Sequence, residues 1–257
     1  MKKTNCMRSA LLFVILLAAV VNVAASQPTN QPLKNVVLVH GAFADGSGWQ
    51  KVYTMLKQKG YNVAIVQNPL TSLADDVAAT KRVIASMDGP VVLVAHSWGG
   101  VVITEAGNDP KVERLVYVAA FAPDAGEPVG AILKNAPADA PQLPAVPSAD
   151  GFVFFDKARF PAGFCADVDA KTAQFMADSQ IPIVGAAFEA TVSAAAWKTK
   201  PSWYVIPDKD LVISPVLERS MAKRAGSTVV EVKGSHAIYV SQPKVVADLI
   251  ESAARGK

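Results

Sequence analysis

The chain has 257 residues, 51% of them hydrophobic, with 25 Lys and Arg against 22 Asp and Glu. That composition excludes a disordered chain and supplies enough apolar material for one large α/β core. The formal charge of +3 arises in the first 26 residues, which hold Lys2, Lys3 and Arg8 and no acid. Without those three, 22 bases face 22 acids, a balance that argues against a nucleic-acid footprint.

The N-terminus reads as a secretory signal over residues 1–25. Lys2, Lys3 and Arg8 form a basic start, 10–21 an apolar run, and Val23-Ala24-Ala25 a small-residue cleavage site, with Ser26 as the alternative end. The mature domain, 27–257, is then periplasmic or secreted. The apolar run is shorter than the ~20 residues of a spanning helix, so no stable membrane association is expected after cleavage. Cys6 leaves with the signal. Cys165 then has no disulfide partner and reads as a small buried hydrophobe.

The first strand spans 34–40, where Val36, Val37, Leu38 and Val39 are too continuously apolar for a strand with one wet face. The loop 40–49 follows, with glycines at 41, 46 and 48 marking special backbone turns. A helix is expected over 49–59, stopped by Gly60, and a strand over 61–66. Asn68-Pro69 breaks the chain, and Ser72 with Asp75 forms a capping box for a helix whose inner face is Leu73, Val77, Ile84 and Met87. Val91 to Val94 form a buried strand, a Gly-ended turn follows, and 101–108 is helical. The next strand is 115–121.

Residues 124–197 depart from this alternation. Pro128, Pro137, Pro141, Pro144 and Pro147 imply loops or very short helices, 151–155 a small strand, and 169–179 and 185–197 helices. Seven of the ten phenylalanines lie here, and an insertion of this length reads as a cap over a site on the scaffold. The regular pattern resumes with a strand at 202–206, a helix at 215–225, a strand at 228–232 and a final helix opening at Pro243. The fold class is α/β: a doubly wound, mostly parallel sheet with a largely helical cap insertion.

The chemistry centres on Ala95-His96-Ser97-Trp98-Gly99. A serine on a sharp strand-to-helix turn is the nucleophile elbow, in which the positions two before and two after the serine must be small. A serine hydroxyl needs a base, and the base needs a group that fixes its tautomer. Only three histidines are available. His96 is adjacent to Ser97 and points away from it, so it reads as structural or pocket-lining. His40 reads as a hydrogen-bonding anchor for its loop. His236, after the last strand and on the C-terminal edge of the sheet, is the base. The acid lies between serine and histidine in chain order, and the candidates rank Asp210, then Asp124, then Asp208. The backbone N–H groups of Trp98 and Ala42 are the expected oxyanion donors, with Phe43 as the alternative to Ala42. No metal-ligand spacing or phosphate loop is present, and no cofactor is expected.

Five segments in order, Val37–Ala42, Ala95–Gly100, Ala119–Asp124, Asp208–Ile213 and Gly234–His236, resemble the α/β-hydrolase superfamily. Within it the chain is similar to the small esterases of the methylesterase and hydroxynitrile-lyase branch and their bacterial relatives. The resemblance covers everything after the signal. It implies a cofactor-free serine hydrolase with a cap, and it favours Asp210 as acid and Ala42 as donor. The aromatic cap points to small to medium apolar carboxylic esters as substrates. The lyases of the branch carry a lysine directly after the catalytic histidine, where this chain has Ala237. Cofactor-free haloperoxidase or perhydrolase activity is the other enzymatic alternative, and a ligand-binding receptor of hydrolase fold the non-enzymatic one.

Overall fold

The computed structural model describes residues 32–257, so the signal reading and Cys6 lie outside the described residues. In chain order, β1 (Asn35–Val39) is followed by a short 3-10 turn (Gly46–Trp49) and α1 (Gln50–Gln58), then β2 (Asn62–Val66) and α2 (Leu73–Ala85). Next come β3 (Val91–Ser97), α3 (Gly99–Ala106) and β4 (Val112–Ala120). The insertion after β4 holds α4 (Val129–Leu133), β5 (Ala145–Pro147), β6 (Phe152–Phe155), α5 (Phe160–Gly163), α6 (Ala170–Ser179) and β7 (Ile183–Val184). The scaffold then closes with β8 (Ser202–Pro207), α7 (Pro215–Arg224), β9 (Thr228–Val232), α8 (Ile238–Ser241) and α9 (Pro243–Arg255).

Six strands form one parallel sheet in the order β2-β1-β3-β4-β8-β9. Burial follows position. Every residue of β1 and β3 is buried, as their unbroken apolar runs require, whereas the edge strands β2 and β9 are partly exposed. α1 packs with α9, and α2 packs with α3, so that helices clothe the sheet. From β1 the chain steps outward to the edge strand β2 and returns past β1 to β3. That reversal opens a crevice beyond the carboxyl ends of β1 and β3, where ligands bind in open parallel sheets. Ser97 ends β3, and the Gly-rich loop leaves β1 beside it.

The insertion differs from expectation in two respects. The small strand near 151–155 is present as β6, but it is the centre of a three-stranded antiparallel sheet, β5-β6-β7. The expected helix over 185–197 is absent. Only short 3-10 turns occur, at Gly185–Glu189 and Ala196–Lys198. Alanine-rich composition favours helix there, but tertiary contacts prevail. Glu105 on α3 takes the Ser193 N–H at 2.6 Å and its hydroxyl at 2.7 Å, and Val192 O accepts the Gly126 N–H at 3.0 Å. Those bonds hold the segment extended against the scaffold.

Three cap phenylalanines make a buried cluster. The Phe160 and Phe164 rings stack at 4.7 Å, and Phe155 meets them edge-on at 5.2 and 5.8 Å. Phe188 instead faces the scaffold and Phe175 is exposed. Cys165 is buried beside Met176. Capping follows the sequence at α2: Ser72 Oγ accepts the Asp75 N–H at 3.0 Å and donates to the Asp75 carboxylate at 2.7 Å.

Candidate active site

Ser97 sits at the β3–α3 junction with φ at 54°, in the left-handed region that β-carbon-bearing residues occupy only under constraint. Close packing imposes it. A Cβ on Gly99 would lie 2.8 Å from His40 O, and one on Gly100 would overlap Phe121 O, so α3 can approach the sheet only because both positions lack a side chain. β4 bulges alongside. His96 pairs with Val118 and Ser97 with Ala120, leaving Ala119 as the extra residue with φ at 45°.

The loop after β1 closes on the elbow. A Cβ on Gly41 would lie 2.6 Å from Ser97 Cβ, so glycine permits the approach. His40 holds the loop, as its place in the sequence implies. Its Nδ1–H donates to Gly41 O at 2.9 Å, its Nε2 accepts the Asn68 N–H at 2.8 Å, and Asn68 Nδ2 returns a bond to His40 O at 2.9 Å. Those roles require the neutral ring, and burial lowers the His40 pKa accordingly. The Phe43 N–H is committed to Ile181 O at 3.1 Å. By contrast, neither the Ala42 N–H nor the Trp98 N–H is spent on an acceptor among the described residues.

Asp210 and His236 come together from the ends of β8 and β9. His236 Nδ1–H donates to Asp210 Oδ2 at 2.6 Å, and both side chains are fully buried. Asp210 Oδ1 accepts the N–H groups of Val212 at 2.7 Å and Ile213 at 2.9 Å. The carboxylate is therefore fixed by its own turn before it reaches the imidazole. The other two carboxylates are elsewhere. Asp124 pairs with Lys198 at 2.5 Å in a partly exposed position, which lowers its pKa, and Asp208 accepts the Gly234 N–H at 3.2 Å.

His236 Nε2 is buried and has no hydrogen-bond partner among the described residues. His96 braces His236: its Nε2–H donates to His236 O at 3.0 Å, and its ring packs on His236 at 4.5 Å. Burial keeps His96 neutral, well below the ordinary imidazole range. The cap's Phe164 covers His236 edge-on at 4.7 Å.

A cleft of about 520 Å³ opens over Ser97, bounded by Ala42, Trp98, Phe121 and the cap's Phe188 and Leu143. One wall depends on a residue that no sequence pattern marks. Asp76, fully buried on α2, accepts the Trp98 indole N–H at 2.8 Å and the Leu70 N–H at 2.8 Å. Burial pushes its carboxyl up to about 6. The sequence singles out Asp75 as capping partner, and nothing in it distinguishes the inward Asp76. Among the described residues no group of three or more His, Cys, Asp or Glu side chains is arranged to hold a metal ion.

The comparisons with known proteins agree with this architecture. Residues 36–249 match the model of the Alpha/beta hydrolase family. The chain is 26% identical over 245 residues to the alpha/beta hydrolase nvfD of Aspergillus novofumigatus, covering 85% of this chain and 96% of that protein. It is 32% identical over 126 residues to methylesterase 7 of Arabidopsis thaliana, covering 42% of this chain and 48% of that one. The pyrethroid hydrolase of Sphingobium faniae superposes with a TM-score of 0.73 at 21% identity, over 86% of this chain and 97% of that one. With the elbow, the six-stranded parallel sheet and a family match spanning nearly the whole described domain, this chain belongs to the alpha/beta hydrolase family.

Proposed function

We propose that the protein is an exported serine esterase that cleaves small to medium apolar carboxylic esters through Ser97, His236 and Asp210. The observation that carries this reading is the buried 2.6 Å Asp210–His236 pair in a chain whose elbow serine lines an apolar cleft. The relatives named methylesterase and pyrethroid hydrolase support ester chemistry. Export rests on the basic and apolar N-terminal pattern.

In this mechanism Ser97 Oγ attacks the ester carbonyl carbon while His236 Nε2 takes its proton. Asp210 stabilises the imidazolium and keeps Nδ1 protonated, so that Nε2 is the basic nitrogen. The unspent Ala42 and Trp98 N–H groups hold the tetrahedral oxyanion. Collapse breaks the bond to the alcohol oxygen, which leaves with the proton from His236. Water, deprotonated by the same nitrogen, then hydrolyses the acyl-serine and restores the enzyme. At the position where a lyase of this branch would carry its lysine, Ala237 is fully buried.

A panel of chromogenic esters varying in acyl length and alcohol size tests the reading. Turnover is expected to be highest for apolar acyl groups that fill the cleft and to vanish in Ser97→Ala. Equal turnover by Ser97→Ala and the unaltered protein would refute it.

A further inference from the structure

Behind Asp210 lies a second buried acid with no assigned task. Glu218 stands in the first turn of α7 and is fully buried. Neither of its carboxyl oxygens receives a hydrogen bond from any described group. Its carboxyl faces Asp210 within side-chain hydrogen-bonding reach. Among the described residues no Lys or Arg is bonded to either acid. The neighbouring Arg219 turns outward and is occupied by Glu231, at 3.0 and 2.8 Å. The nearby Tyr204 hydroxyl gives its proton to Ala120 O.

Counting donors decides which acid is ionised. Asp210 accepts three, from Val212, Ile213 and His236, whereas Glu218 accepts none. Two adjacent buried carboxyls cannot both carry charge, so the proton belongs on the acid that lacks donors. An ionised carboxylate offers about four lone-pair sites, and a neutral carboxyl offers one O–H. One site on Asp210 is open and one donor is available beside it. We propose that Glu218 is held as the neutral acid and donates its proton in a hydrogen bond to Asp210, acting as a positioning residue for the carboxylate that orients His236. This rests on the Ser97-His236-Asp210 reading above. Burial and the Asp210 charge both push the Glu218 carboxyl well above the ordinary range, while exposed Arg219 opposes them and Glu231 adds to them.

The bond has two consequences. It satisfies a buried polar group that would otherwise be costly. It also draws electron density from Asp210, making that carboxylate a weaker hydrogen-bond partner for the imidazole.

The test compares Glu218→Gln with Glu218→Met. Gln keeps a neutral donor of the same shape, so kcat/KM is expected within about threefold of the parent, with the acid limb of its pH profile unmoved. Met fills the space without a donor. Its kcat is expected to fall about tenfold at unchanged KM, and the acid limb to move upward by about half a pH unit or more. Independently of turnover, infrared spectra of ¹³C-glutamate-labelled protein at neutral pH should show a protonated carboxyl C=O band that is lost in Glu218→Gln. A Met variant that melts earlier yet keeps kcat and pH profile would overturn the proposal, as would a Gln variant that behaves like Met. If Met does not fold, Gln and the infrared band still decide, and an ionised Glu218 in the resting protein refutes the proposal. Because the band needs no catalysis, loss of the esterase reading would be seen separately, as a band present in a protein without ester turnover.

Discussion

Replacing Asp210 by Asn isolates the role of the acid, because the structure dictates how the amide must sit. Oδ1 accepts two backbone N–H groups, at 2.7 and 2.9 Å, and only the amide oxygen can take over that position. The amide NH₂ is then left facing His236 Nδ1, where Oδ2 now accepts at 2.6 Å. A donor there forces Nδ1 to become the acceptor and moves the ring proton to Nε2. The nitrogen that should deprotonate Ser97 is then already protonated. Loss of the correct tautomer in such triads costs about 10⁴-fold, equivalent to about 5.5 kcal/mol of transition-state stabilisation. Asp124→Asn is the paired control. Its partner Lys198 is half exposed, so the lost ion pair is worth about 0.5 kcal/mol in stability, with kcat/KM within about threefold. The assay is kcat/KM on a chromogenic ester, with circular dichroism to confirm folding. Asp210→Asn within tenfold of the parent, or Asp124→Asn falling equally far, would refute the assignment.

Three further outcomes follow from the same geometry. Gly100→Ala places a methyl group into the Phe121 carbonyl and against Ala120 Cβ, at 3.0 Å. Overpacking of rigid backbone by this amount costs about 1–3 kcal/mol or more, so the melting temperature should drop by several degrees, and an unchanged melt would contradict the packing argument. The Asp76 carboxyl is raised by burial to about 6. The folded state therefore binds the proton more tightly than the unfolded one, so this group's contribution to stability falls as pH rises from about 4 to 6, by up to about 3 kcal/mol. The melting-temperature difference between parent and Asp76→Asn should shrink or reverse across that window; a flat difference would contradict it. Phe188→Ala removes the ring that meets Trp98 edge-on at 5.9 Å. It should raise KM for bulky apolar esters several-fold while leaving kcat for the smallest esters nearly unchanged, as steady-state kinetics on the ester panel would show.

The parts of the molecule that were legible in the sequence are those where one physical rule acts alone. The unbroken apolar runs of β1 and β3 announce strands buried on both faces, and the small residues flanking Ser97 announce a turn against a helix. The parts that were not legible arise where a tertiary contact overrules local preference. The 185–197 segment has helical composition but is held extended by Glu105. The four-residue α8 follows His236 without a capping side chain to mark it. Asp76 and Glu218 share one disguise. Each lies in the first turn of its helix, where an acid reads as a surface charge complementing the helix dipole. Only the assembled sheet shows that both point inward, one to Trp98 and the other to Asp210.

The central claim is that Ser97 carries the acyl group. A fluorophosphonate reagent, which phosphonylates activated serines, followed by intact-mass measurement and peptide mapping, tests it most directly. A single stoichiometric adduct is expected on the peptide containing Ser97, absent in Ser97→Ala and slowed by orders of magnitude in Asp210→Asn. No adduct on the folded protein, or an adduct that persists in Ser97→Ala, would contradict it.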